Sequence, residues 1–313
     1  MKMKTLKLSN VASLFLASLT LFSCNSNDDG IDFAELEGSG ITITDDVDCC
    51  SAEEALQVYK FLQTVTIIPE LSTEIDGKYN LFAYTKSGSA HVGYNDIYFV
   101  ATKKKTGNYI KNFTISNLTP IMNMSAMNKK HSTPVGATVQ SFNDKYLAVK
   151  RGWISYIMAS SDGNTWSLSF DIDVLGSQAH VDQVSIDVEP IAEGQAWVKS
   201  FKANDQTYFL SIVNPLDWHI GENTIEAYVS QKSADMTQPY ALASDVFTLD
   251  FEPTMPDMGG HSSPNNVALT KQEDGSYAGT INLTMFGRWD ITFSVLDQSD
   301  NVLAQDIVLS VTL

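Results

Sequence analysis

Beyond residue 64 the chain consists of short runs in which apolar and polar residues alternate, as at 138–142, 166–170 and 292–295, with a denser apolar run at 97–100. A period of two marks a strand with one buried face, and turn clusters at 161–164 and 273–276 separate such runs. The pattern predicts an all-β chain of immunoglobulin-like β-sandwiches. Only residues 51–63 read as a short helix, where Ser51 and Glu54 have capping-box spacing and an amphipathic stretch follows.

The pattern occurs twice. His91, Gly93 and Asn95 return as His219, Gly221 and Asn223, about 130 residues on. Pro120, Met122, Met124, His131 and Pro134 return as Pro253, Met255, Met258, His261 and Pro264, while Tyr146 and Trp166 return as Tyr277 and Trp289. Two tandem domains are therefore expected, at 64–190 and 194–313, with the boundary at 189–194. Trp166 and Trp289 are expected in the two cores, whereas Trp153 and Trp218 have no assigned role.

The first 23 residues read as a leader. Lys2, Lys4 and Lys7 precede an apolar stretch at 11–22, and residues 21–24 form a lipoprotein processing box ending at Cys24. That stretch is shorter than the roughly 20 residues of a spanning helix. Cleavage before Cys24 and its lipidation are expected, giving an outer-membrane lipid anchor, with residues 24–50 as a polar, acidic tether. Residues 25–30 resemble the acidic export signal of surface lipoproteins in the Bacteroidota, which implies exposure on the outer face of the outer membrane. The formal charge of −17 repels phosphate backbones, so nucleic acid is not an expected partner. Cys49 and Cys50 are adjacent, which strains a mutual disulfide. They read as an exposed or partner-linked thiol pair, with an auxiliary thiolate metal site as the alternative.

The candidate chemistry lies in the repeated methionines and histidines. Both are soft or borderline ligands without negative charge, and their grouping in two proline-bounded loops points to copper. Counting antiparallel strands brings His91, Met122, Met124, Met127, His131 and Met158 to one end of the first sandwich, and His219, Met255, Met258, His261 and Met285 to one end of the second. Two readings stay open for several of these. Met255 and Met285 also suit core packing, and His91 and His219 also suit the hydrogen-bonded start of a Gly-x-Asn turn. His180 has no repeated counterpart and reads as structural or exposed.

The second copy resembles the YtkA-like family, related in pattern to FixH-like domains and in fold to CopC-like copper carriers. The resemblance rests on Met255, Pro256 and Met258 in the loop, Gly275 and Tyr277 at the turn, and Met285, Gly287 and Trp289 at the strand end. It spans roughly residues 195–313. The first copy looks similar but departs, with residues 125–130 read as an insertion and Trp166 further from Met158. The resemblance implies copper handling or a part in oxidase assembly. Motifs for zinc proteases, phosphate loops and serine nucleophiles are absent from the sequence, so no enzyme is expected. Two functions remain. One is a copper-binding envelope lipoprotein that captures or passes on the ion, to an outer-membrane receptor or a metal-accepting protein. The other is a non-enzymatic surface module for a glycan or protein partner.

Overall fold

The computed structural model describes residues 52–142 and 148–313. The leader, Cys24, the tether with Cys49 and Cys50, Ser51 and Tyr146 lie outside the described residues. Among the described residues no helix is long and apolar enough to cross a membrane.

The first sandwich is built from β1 (Tyr79–Thr85), β2 (Gly93–Lys103), β3 (Phe113–Met124), β4 (Gln140–Ser141), β5 (Val149–Tyr156), β6 (Asn164–Val174) and β7 (Ser177–Ile186). One sheet has the order β1-β2-β5-β4 and the other β3-β6-β7, which is the constant-type order of an immunoglobulin-like sandwich. The short segment Lys129–His131 adds to the free edge of β3. Burial alternates strictly along β6, where Trp166, Leu168, Phe170, Ile172 and Val174 enter the core between the sheets.

The second sandwich repeats this order after one added strand, β8 (Val198–Ala203). It comprises β9 (Gln206–Ile212), β10 (Gly221–Gln231), β11 (Thr248–Met255), β12 (Val267–Lys271), β13 (Tyr277–Leu283), β14 (Arg288–Leu296) and β15 (Val302–Thr312). The pairs β9-β10, β10-β13, β11-β14 and β14-β15 match those of the first copy. Here β12 pairs with both β11 and β13 and so joins the two sheets. Ala196 and Ser310 bond backbone to backbone at the opposite side, at 2.9 and 2.8 Å, which closes the remaining edge.

The continuous burial of β2 explains the dense run at 97–100. Ile97, Phe99 and Ala101 face the core, while the outer face is covered twice. Helix α1 (Ala52–Leu62) lays Ala55, Val58 and Phe61 on Tyr98 and Val100. Farther along, Tyr94 and Trp153 meet Val213, Tyr228 and Leu242 of the second sandwich, with the Trp153 and Tyr228 rings 4.4 Å apart. Glu54, assigned to the capping box in the sequence, accepts a bond from Lys111 Nζ at 3.0 Å.

Polar bonds extend this interface. Ser155 and Ser211 share a hydroxyl bond at 2.7 Å, and Lys86 meets Asp217 at 2.6 Å. The segment after β10 runs beside residues 132–135. Ser132 N donates to Met236 O at 2.6 Å, Tyr240 N to Thr133 O at 3.0 Å and Val135 N to Tyr240 O at 3.2 Å. Asp96 lies under this junction with its side chain 5% exposed. Its carboxylate is compensated by Arg151 Nε at 2.6 Å, Tyr94 OH at 2.7 Å and Tyr98 OH at 3.1 Å.

A buried carboxylate stripped of its cation costs about 3–5 kcal/mol, so Arg151→Met should lower the unfolding free energy by about 3 kcal/mol in urea titrations. A loss below about 0.5 kcal/mol would show that the pair does not support the junction.

Candidate metal centre

In each sandwich the site is assembled at the end where β3, or β11, leaves the core. A 3-10 turn follows the strand, Ser125–Met127 in the first copy and Pro256–Met258 in the second, and each turn ends on a left-handed residue. That residue is Asn128 at φ 47° and Gly259 at φ 68°, the residue types that tolerate this conformation. The chain then doubles back so that His131 pairs with Met122 and His261 with Met255. Across the neighbouring strand, Trp166 is in register with Met122, and Trp289 is one step beyond the Thr254–Asp290 pair.

The tryptophans tie the next loop to this arrangement. Trp166 Nε1 donates to Met158 O at 2.9 Å, and Trp289 Nε1 donates to Met285 O at 3.0 Å. A buried indole N–H requires an acceptor, so each core tryptophan fixes the methionine above it. The two ends therefore correspond residue by residue. Met122 matches Met255, Met127 matches Met258, His131 matches His261 and Met158 matches Met285.

This alignment corrects the sequence reading of the first loop. Residues 125–127 are the counterpart of Pro256–Met258, not an insertion. The additional residues are Asn123 and Met124, which lengthen β3, and one residue before His131. Met124 has no partner in the second copy and packs half-buried on the first core.

The methionines divide by depth. Met122 and Met255 are 0% and 3% exposed and form the floor of each end, part of the core. Met255 is the last residue of β11, so of its two readings the structure favours core packing over a loop position. Met127 and Met258 are 55% and 58% exposed at the turn tips. Met158 and Met285 lie between, half-buried against the two cores.

The His131 ring is held at both nitrogens. Its Nδ1 lies 2.8 Å from Ser132 O, and a carbonyl can only accept, so Nδ1 carries the proton. Nε2 lies 3.3 Å from Met158 Sδ. The ring stands edge-on to Trp166, with centroids 5.4 Å apart. A backbone carbonyl on the far nitrogen is the usual way a metal-binding imidazole is oriented. A nitrogen and a sulfur bound to one tetrahedral ion at about 2.0 and 2.3 Å stand about 3.5 Å apart, close to the spacing found. In the second copy His261 is exposed, its Nε2 is 3.5 Å from Thr284 Oγ1, and its ring is 6.4 Å from Trp289. Among the described residues no group of three His, Cys, Asp or Glu side chains is placed to hold a metal ion. A site at either end therefore depends on thioether sulfur.

His91 and His219 reach the same ends but serve the turn. Asn95 Oδ1 accepts from His91 N at 2.9 Å and Asn95 Nδ2 donates to His91 O at 2.7 Å. Asn223 makes the same two bonds to His219. The His91 ring bonds Val92 O and packs on Trp197, and burial lowers its pKa from the ordinary 6.5. His180 is exposed and bonded to Asp171 at 2.6 Å. The Asn95 and Asn223 turns follow the Gly-x-Asn reading of His91 and His219, whereas the tryptophan-to-carbonyl clamp was not anticipated, although the recurrence of Met and Trp at matched places is its trace in the sequence.

Residues 202–294 match the YtkA-like family model. Over these residues the second sandwich is similar to YtkA-like domains. The match runs from β8 into β14 and contains His219, Met255, Met258, His261, Met285 and Trp289. The first sandwich lies outside the match and shares with the second its strand order and its Met/His end. A comparison with curated proteins finds no match.

The depths separate two substitutions that the sequence treats alike. Met255→Ala should destabilise the protein by about 3 kcal/mol through cavity formation. Met258→Ala should change stability by less than about 0.5 kcal/mol in the same denaturation experiment.

Proposed function

We propose that this chain is a cell-envelope lipoprotein that binds copper, chiefly Cu(I), at two Met/His ends and captures it or passes it on. One observation carries the reading: His131 Nε2 lies 3.3 Å from Met158 Sδ, close to the spacing of a nitrogen and a sulfur that share one ion, while Ser132 O holds the ring at Nδ1. The YtkA-like match supports a metal-related envelope role for the second copy. Copper is cargo here, and the residues supply its ligands. His131 and Met158 are the inner pair of the first end, with Met127 at its mouth. His261 and Met285 hold the corresponding positions at the second end, with Met258 at its mouth.

The donor set favours Cu(I). Thioether sulfur is a poor ligand for zinc, and among the described residues no group of three His, Cys, Asp or Glu side chains supplies the donors a divalent ion prefers. Methionine releases no proton on binding, so its share of the affinity persists in mild acid. The glycan-binding alternative draws less support, because Trp153 and Tyr228 are buried in the junction between the sandwiches.

The mature chain with Cys24, Cys49 and Cys50 replaced by Ser should bind two Cu(I) per molecule in anaerobic chelator competition, and His131→Ala and His261→Ala should each bind one. Failure of the parent protein to compete for Cu(I) would leave the partner-binding module as the better account. The anchor is tested apart from the metal. Cys24→Ala should move the protein out of the membrane fraction or leave it unprocessed, whereas normal processing with unchanged retention would remove the lipoprotein reading.

A further inference from the structure

The two ends share one plan and differ in everything that governs access. In the first copy the loop is stitched down. Lys129, Lys130 and His131 pair with Met124, Asn123 and Met122, and Ser125 N and Oγ both bond Gly163 O, at 2.8 and 2.9 Å. The adjoining residues Ser132 and Thr133 are bonded to the second sandwich through Met236 and Tyr240. In the second copy the pairing shrinks to His261–Ser262, and Gly259 and Gly260 occupy the bend with both glycines at positive φ. Fewer backbone bonds and two glycines make local opening cheaper.

Charge and exposure follow the same division. Lys129 and Lys130 stand exposed beside the first site and repel an arriving cation, whereas exposed Asp257 stands beside the second. His131 is half-buried and His261 exposed. Phe286, next to Met285, is 75% exposed, where the first copy has half-buried Ala159. The first copy makes the same fold without this apolar rim.

From these differences we propose that the two ends are a retaining site and an exchange site. The His131–Met158 pair takes up Cu(I) slowly and holds it, and the His261–Met285 pair loads and unloads quickly. This rests on the copper reading and adds an order of events to it: the second sandwich meets the donor or acceptor, and the first keeps the ion.

Stopped-flow transfer of Cu(I) from the loaded mature chain, carrying the three Cys→Ser changes, to an excess of a colorimetric Cu(I) chelator tests this. Release should be biphasic, with rates at least about tenfold apart. Met285→Leu should abolish the fast phase and Met158→Leu the slow one. Leucine keeps the volume of these half-buried positions, so the fold is preserved. Lys129→Glu with Lys130→Glu should speed loading of the first site several-fold and leave the second unchanged. Equal rates in the two single-site variants, or slower release from the second site, would overturn this inference while leaving the copper reading in place. Absence of Cu(I) binding in both variants and the parent would overturn the copper reading and this inference together.

Discussion

A buried indole must give its N–H to an acceptor, and in both sandwiches that acceptor is the carbonyl of the methionine in the loop above. The rest of each end depends on this bond. Trp166 and Trp289 are 1% and 0% exposed, anchored by the whole core, so the loops carrying Met158 and Met285 are held with the rigidity of the sandwich interior. The histidine then packs against the same indole. An imidazole and a thioether side chain are thereby placed by residues that are themselves hydrophobic core, and little of this geometry is left to the loops.

The second constraint is the junction. β2 is buried on both faces because α1 and the second sandwich share its outer surface. A carboxylate in that layer is tolerated only because Arg151 and two tyrosine hydroxyls meet it. The same junction brings the segment around Met236 and Tyr240 against Ser132 and Thr133, directly after His131. The fold of one copy therefore steadies the site of the other, and the duplicated ends become unequal.

Much of this was legible in the sequence, for reasons that can be named. Alternation along β6 and β14 reports burial on one face, which is a local property, and the resulting strand count was enough to gather the Met and His positions at one end of each sandwich. Pairing in sequence space could not separate Met124 from Met127 as the counterpart of Met258. The turn is defined by a left-handed residue, Asn128 or Gly259, and two different residue types satisfy that demand. Depth was equally hidden. Met255 and Met258 lie in one short motif, yet one ends a strand inside the core and the other caps a turn in solvent. The junction left only an indirect trace, the dense run at 97–100, because nothing in a strand's own sequence says what covers its outer face.

The central claim is that imidazole nitrogen and thioether sulfur bind one ion together. X-ray absorption at the copper edge, on the mature chain with Cys24, Cys49 and Cys50 replaced by Ser and loaded with one or two equivalents of Cu(I), addresses it most directly. The account predicts a first shell containing both sulfur and nitrogen in the parent protein, and the same mixed shell in the His131→Ala and His261→Ala single variants loaded with one equivalent. A first shell of nitrogen and oxygen alone in the parent protein would contradict it.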